Sequence, residues 1–132
     1  MKVDRKSMAK HHFSSKLHQS AAPFSHFVRH GDTGYTAGII GQRTDDGSLV
    51  SDDVTEQCEA MMINLETLLS ELDLNMSNLL HTTIYLTDYQ HFGAVNAAYA
   101  KHLQEPYPAR TTIQVAGLPL GAKVQIETVL GL

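Results

Sequence analysis

The sequence predicts an α+β fold, in which two helices pack on one face of a mixed β-sheet. Two segments carry apolar residues at helical spacing, as amphipathic helices do. Several shorter segments are rich in β-branched and aromatic residues, which favour strands. The elements follow one another in the order β-β-α-β-α-β-β, which is typical of helices gathered on one side of a sheet.

The first half of the chain predicts two short strands and one long helix. Residues 24–40 (FSHFVRHGDTGYTAGII) indicate two strands around a glycine-containing turn at residues 30–34. The helix begins after Ser51, the predicted N-cap, with Asp52 and Asp53 in its first turn. Its apolar stripe, which we expect to pack in the core, comprises Val54, Cys58, Met61, Met62, Leu65, Leu68, Leu69 and Leu72.

The second half predicts a strand, a second helix and two further strands. HTTIYLTD, residues 81–88, is the strand, and Thr87 with Gln90 resembles a capping box that opens the helix. Asn96 lies on the apolar stripe of this helix, either as a hydrogen-bonded core residue or as a site or interface residue. The last strands, within residues 109–118 and 122–132, are joined by a turn at residues 118–121.

The last two strands predict one apolar and one mixed sheet face. Alternation places Thr111, Ile113 and Val115 on the apolar side, opposite Arg110, Thr112 and Gln114. In the final strand, alternation likewise separates an apolar set from a mixed set. The apolar set is Val124, Ile126 and Thr128, and the mixed set is Lys123, Gln125, Glu127 and Val129. A mixed face of this kind often meets another subunit, so we expect an oligomer.

The length and the charge of the chain limit the classes of protein to which it can belong. With 132 residues we expect one domain, residues 16–132, preceded by a flexible basic arm at residues 1–15. The net charge is −4, and residues 21–132 are strongly acidic, which argues against nucleic-acid binding. There is no membrane-spanning apolar run, and Cys58 is the only cysteine, so an internal disulfide is excluded. We therefore predict a cytoplasmic protein.

One constellation could carry chemistry. Pro106 and Pro108 stiffen the chain just before Arg110, whose planar donor groups suit a carboxylate. Glu127, on the polar side of a neighbouring strand, could accept a proton or orient a water molecule. A structural ion pair between Arg110 and Glu127 is an equal alternative on the pattern alone. The eight histidines form no recognised zinc motif, and no nucleophile elbow or phosphate-binding loop is present.

These residues carry a family resemblance. PYPARTTIQVAGLPLGAKVQIE, APFSHFVRHGDTGYTAGIIGQ and TTIYLTDYQHFGAVNAAYAKHL together resemble the Rid (YjgF-type) family of reactive intermediate imine/enamine deaminases, over about residues 20–130. The resemblance implies a chorismate-mutase-like fold that forms a homotrimer with a central barrel and ligand clefts between subunits. It also implies hydrolysis of 2-imino and 2-enamino acids to 2-keto acids and ammonia, without cofactor or metal.

The resemblance also implies roles for individual residues. Arg110 would bind the substrate carboxylate, and Glu127 would activate the attacking water. The Thr112 backbone would help hold that water. Gly38 would offer backbone contacts near the imine, and Asn96 would support the cleft.

Three positions depart from the family pattern and keep other functions open. Phe24 stands at the substrate cleft where a tyrosine is frequent, Ala37 replaces a serine, and Thr112 replaces a cysteine. The lost hydroxyl groups favour a second reading, a trimer that binds a keto or amino acid with little turnover. A specialised deaminase acting on another enamine is a third reading, whereas the acidic body disfavours a ribonuclease.

Overall fold

A computed structural model describes residues 8–132 and contains one six-stranded sheet, in the order β1-β2-β3-β6-β4-β5. Two helices cover one side of it, and no helix among the described residues has the length and apolar character needed to cross a membrane. The strands and helices are β1 Ala9–His12, β2 Phe27–His30, β3 Thr33–Thr36, α1 Val54–Glu71, β4 Leu79–Leu86, α2 Phe92–Lys101, β5 Ala109–Gln114 and β6 Val124–Gly131.

The sheet is antiparallel except for one pair, β4 and β5, which run parallel. Parallel neighbours need a crossover connection, and α2 supplies it between these two strands. Strand β6 pairs with both β3 and β4, so β4 lies between β5 and β6. The α+β prediction is confirmed, but the last two strands are not neighbours, because the turn between them carries the chain past β4.

Residues 9–12, which were predicted to belong to a flexible arm, are ordered in the structure. They form β1, an edge strand that pairs with β2 in the register Ala9↔His30 to His12↔Phe27. The prediction is therefore wrong for this segment, since the unpaired edge of β2 offers backbone partners that its sequence did not reveal. Residues 1–7 of the predicted arm lie outside the described residues.

Helix α1 carries the core. The predicted stripe from Val54 to Leu69 is buried throughout, and Leu72 packs at its edge. Cys58 is fully buried within this stripe, and burial raises the pKa of its thiol to about 12, so it behaves as a small apolar side chain. The N-cap is Asp53, whose carboxylate accepts the backbone N–H of Glu56, rather than the predicted Ser51.

Helix α2 also begins differently from the prediction. Asp88 accepts the backbone N–H of Gln90 and caps a single 3₁₀ turn, residues 89–91, after which α2 continues from Phe92. The predicted capping residue, Thr87, precedes this turn. An Asp at the cap position outcompetes a Thr because a carboxylate is the stronger acceptor at the positive end of a helix.

The two faces of the sheet differ sharply. In β6 the residues Val124, Ile126 and Thr128 are buried on the helix side, as predicted, and Leu130 continues the same face. The opposite face of the sheet, here called the open face, has no covering layer within the described residues. It carries Gln125, Glu127 and Val129 of β6 and His81, Thr83 and Tyr85 of β4.

In β5 the predicted faces are reversed. Arg110 is paired in register with Thr82, a fully buried residue on the helix side of β4, and its guanidinium contacts α2. Ile113, expected in the core, is 42% exposed. The apolar pattern misled because β5 is an edge strand, where one long cation can be bound beneath a helix and an apolar side chain can remain on the open face.

One histidine joins α1 to the end of α2. The ring of His102 lies between two carboxylates of α1, with Nε2 at 2.6 Å from Glu59 Oε2 and Nδ1 at 2.8 Å from Glu66 Oε1. Lys101 Nζ lies 3.4 Å from the other oxygen of Glu59. Burial alone would lower the pKa of His102, but the hydrogen bonds and charges of the two glutamates together raise it above its ordinary value.

The arrangement of His102 between Glu59 and Glu66, here called the histidine clamp, predicts that the stability of the protein falls as pH rises. A group with a raised folded-state pKa contributes its full stabilisation below the unfolded pKa and loses it as pH passes through the folded value. We expect the melting temperature to decline from pH 6 upward and His102→Gln to remove that slope, at a cost of about 1 kcal/mol at pH 6. His30→Gln, at an exposed histidine, is the control. An unchanged slope in His102→Gln would show that the clamp does not control it.

Candidate functional site

Arg110 is held beneath α2 by neutral partners. Its Nε donates to Thr112 Oγ1 at 2.8 Å, and its Nη2 donates to Asn96 Oδ1. The guanidinium carbon lies 4.9 Å from the ring centre of Tyr99 and 5.4 Å from that of Phe92. Two hydrogen bonds and two cation–π contacts therefore fix the guanidinium without neutralising its charge.

The surroundings of Arg110 are suited to an anion. No carboxylate among residues 8–132 lies within ion-pair distance of it. A cleft of about 240 Å³ opens beside the guanidinium. Its lining consists of Asn96, Tyr99, Ala100, Tyr107, Pro108 and Arg110. We call this space the arginine cleft.

Within the chain, the alternative of a structural ion pair between Arg110 and Glu127 is wrong. Arg110 lies on the helix side of β5, whereas Glu127 lies on the open face of β6, with β4 between the two strands. Glu127 instead accepts a hydrogen bond from the phenol of Tyr85 on β4. That hydrogen bond, with partial burial, raises the pKa of Tyr85.

Asn96 and Thr112 both act on Arg110 in the structure. Asn96 belongs to the first two turns of α2 and accepts from the guanidinium, so it is neither a core residue nor remote from the site. The side chain of Thr112 likewise accepts from Arg110. The predicted role of the Thr112 backbone in holding water stays a prediction.

Phe24 and Gly38 line a second, larger cleft. It has a volume of about 720 Å³ and lies between the chain before β2, the segment after β3 and the turn before β6. We call it the glycine cleft. Its lining includes Phe24, Ala37, Gly38, Ile40, Leu120 and Gln125.

Gln125 is the polar residue of β6 that reaches the glycine cleft, and the sequence analysis did not select it. A Cβ atom at Gly38 would lie 1.7 Å from Nε2 of Gln125, so the glycine leaves the space that this amide occupies. Glu127 is not among the cleft residues. The signal was available, because Gln125 and Glu127 alternate onto the same face of one strand.

The six predicted site residues thus fall into separate groups within one chain. Arg110, Asn96 and Thr112 form the arginine cleft assembly, and Phe24 and Gly38 lie in the glycine cleft. Glu127 lies on the open face with Tyr85. Neither the arginine cleft nor the glycine cleft contains residues of all three groups.

Comparison with known proteins identifies the family. Residues 14–130 match the model of the family described as Endoribonuclease L-PSP. The chain belongs to this family. The predicted relationship to Rid (YjgF-type) proteins is confirmed, since relatives in the endoribonuclease L-PSP family carry those names.

Two curated relatives in this family are deaminases by name. The 2-iminobutanoate/2-iminopropanoate deaminase of Mus musculus is 34% identical over 116 residues, covering 88% of this chain and 86% of the mouse protein. Reactive Intermediate Deaminase A, chloroplastic, of Arabidopsis thaliana is also 34% identical over 116 residues, covering 88% of this chain and 62% of the plant protein. The crystal structure of RidA from an Antarctic Psychrobacter bacterium matches with a TM-score of 0.88 at 28% identity, covering 93% of this chain and 99% of that chain.

Substitution of two glycines by alanine should reduce the stability of the protein by different amounts, because the added methyl groups meet different neighbours. In Gly38→Ala the new methyl group meets the far end of the Gln125 side chain, which can rotate away. In Gly41→Ala the methyl group lies 2.4 Å from the backbone oxygen of Gln57 in α1, which cannot. We expect urea unfolding to show a loss below about 1 kcal/mol for Gly38→Ala and about 2 kcal/mol or more for Gly41→Ala. Equal losses would contradict the packing described here.

Proposed function

We propose that the protein hydrolyses reactive 2-imino and 2-enamino acids to 2-keto acids and ammonia, with Arg110 binding the substrate carboxylate. The observation that carries the proposal is the fixed guanidinium in an open cleft with only neutral protein partners among the described residues. At family level, the prediction of a deaminase-like enzyme is confirmed, because several curated relatives carry the deaminase name. A cytoplasmic location stays a prediction.

The chemistry needs few groups. The carbon of a protonated imine is electrophilic, and water adds to it to form a carbinolamine. A carbon–oxygen bond forms as the carbon–nitrogen π bond breaks, and one proton of the water passes to the nitrogen. The carbon–nitrogen bond then breaks, ammonia departs, and the hydroxyl proton is lost as the ketone forms. There is no redox step, so the reaction requires no electron carrier, and positioning with proton transfer accounts for the catalysis.

We place the reacting centre between subunits of a homotrimer with a central barrel. The proposal follows from the separation of the clefts, because Arg110 and Gln125 lie on opposite faces of one sheet. A second copy could bring its glycine cleft against the arginine cleft of the first. Support comes from the open face and its margins, where Tyr35 is 48% exposed and Ile113 is 42% exposed, because such side chains commonly pack at an interface.

The water molecule needs a polar group on the glycine-cleft side. We propose that Glu127 accepts its proton and that the Thr112 backbone helps to hold it, with Gly38 and Phe24 shaping the space around the imine. Glu127 is oriented by the hydrogen bond from Tyr85. Gln125 is nearer to Gly38 than any carboxylate of β6, so we assign it the task of orienting the water or the imine nitrogen.

A ligand-binding protein with little turnover is the second candidate, and one observation favours it. The side chain that reaches the glycine cleft from β6 is the amide of Gln125, which cannot act as a general base near neutral pH. Such a protein would bind a keto or amino acid through the same arginine. Turnover by purified protein separates the two candidates.

The first experiment measures imine hydrolysis. An amino-acid oxidase generates the imine in place, and its capture as a semicarbazone reports how much survives. We expect the wild type to accelerate imine loss, and Arg110→Ala to lose about 100-fold in kcat/KM, because the carboxylate is left unpaired. Arg110→Lys should recover only part, since an ammonium group cannot replace the planar guanidinium.

The matched control is Arg29→Ala, at an exposed arginine of β2 outside both clefts. It should retain wild-type activity. If the wild type leaves every imine untouched yet binds 2-keto acids through Arg110, the binding protein is the correct function.

Two variants assign the polar groups of the open face. If Glu127 removes the proton, Glu127→Gln lowers kcat by about 100-fold and leaves KM nearly unchanged. Gln125→Ala should mainly raise KM, because it removes a group that orients and does not ionise. A larger loss of kcat in Gln125→Ala than in Glu127→Gln would show that the proton leaves by a route independent of Glu127. Both rates are measured in the semicarbazone assay.

A further inference from the structure

An aromatic cluster borders the glycine cleft, and Phe24 is its only member to which the proposed reaction above assigns a part. The ring of Phe13 lies 4.4 Å from that of His26 and 6.2 Å from that of Phe24, measured between centroids. Phe24 meets His26 nearly edge-on, at 5.7 Å and 65°. These three residues form what we call the aromatic cluster, and Phe24 is the member that lines the cleft.

His26 anchors the cluster. Its side chain is buried, and its Nδ1 accepts the backbone N–H of Ser14 at 2.8 Å, which fixes the orientation of the ring. Burial and the nearby charge of His12 lower the pKa of His26, whereas Glu71 raises it by a smaller amount. The imidazole is therefore neutral at pH 7 and presents a ring face that can pack against the two phenylalanines.

The phenylalanines are left open to solvent. Phe13 is 43% exposed and Phe24 is 41% exposed, although both rest on a buried, oriented ring. Across the glycine cleft, Pro119 and Leu120 form another apolar wall, and Leu120 is 64% exposed. Adjacent exposed apolar groups around a cleft are typical of a binding surface.

We propose that this cluster selects substrates with an aromatic side chain. The proposal rests on the proposed function, because it assigns the side-chain end of an imino acid whose carboxylate Arg110 binds. Phe24 contacts the substrate ring, Phe13 is a positioning residue that holds Phe24 in place, and Leu120 closes the opposite side. A cleft of about 720 Å³ has room for such a side chain, whereas a methyl group would leave most of it filled with water.

The test compares imines formed from phenylalanine and from alanine in the semicarbazone assay. We expect kcat/KM to be at least about tenfold higher for the phenylalanine-derived imine, which is the range of discrimination that an apolar pocket provides. Phe24→Leu should reduce that ratio by about tenfold, and Phe24→Tyr should retain it because the ring remains. Phe13→Leu should also lower the ratio, and Phe13→Tyr should restore it. A wild-type ratio of one or less overturns the proposal.

A binding measurement separates this proposal from the proposed function. If no imine is hydrolysed, titration calorimetry compares phenylpyruvate with pyruvate on the wild type. Tighter binding of phenylpyruvate, weakened in Phe24→Leu, keeps the selectivity for aromatic side chains and rejects the deaminase. Equal binding, tighter binding of pyruvate or binding of neither compound overturns the selectivity, whatever the outcome for the enzyme.

Discussion

The parallel pairing of β5 with β4 is the constraint on which the site depends. A parallel neighbour requires a crossover, and the helix that makes it, α2, must pack back onto the strands that it joins. The register that pairs Arg110 with Thr82 then directs the arginine beneath that helix. Asn96 and Tyr99 meet it there because they lie on the face of α2 that packs on the sheet. The crossover from β4 through α2 to β5 therefore positions both Arg110 and the residues of α2 that hold it.

The environment of Arg110, partly buried and without a carboxylate partner among the described residues, favours a bound anion. Removing a guanidinium from water is costly, and neutral acceptors and aromatic rings offset only part of that cost. A structural arginine is usually compensated by a carboxylate, as Arg43 is by Asp45 on the surface of this protein. Asn96 and Thr112 instead accept from two of its nitrogens, and Arg110 itself lines the cleft. The arrangement is preorganised, so binding an anion there requires little side-chain ordering.

The sequence predicts correctly those features that depend on interactions between residues close together in the chain. The sequence predicts the stripe of α1 correctly because helical spacing and apolar character agree at each of its positions from Val54 to Leu69. The predicted faces of β5 are reversed because alternation shows which residues share a face but not which face meets the helices, and here the polar side with Arg110 lies beneath α2. That choice came from pairing with β4, a contact between residues far apart in sequence. Alternation places Gln125 on the same face as Glu127, but its place in the glycine cleft depends on Gly38, which lies on another segment and makes room for its side chain.

The division of the candidate residues between two faces bears on the chemistry as well as on assembly. If the arginine cleft and the glycine cleft meet between copies, each copy gives the substrate's carboxylate site to one neighbour and takes its apolar wall from another. Hydrolysis then depends on association, because Arg110 and Gln125, the groups assigned to the acid and to the water, lie in different clefts. The side chain that β6 contributes to the glycine cleft is the amide of Gln125. It can orient a water but not deprotonate it, so the proton must pass to Glu127, to solvent or to the substrate's own nitrogen. A protonated imine is reactive enough towards water that orientation alone provides substantial rate, which makes an amide at this position compatible with catalysis as well as with binding.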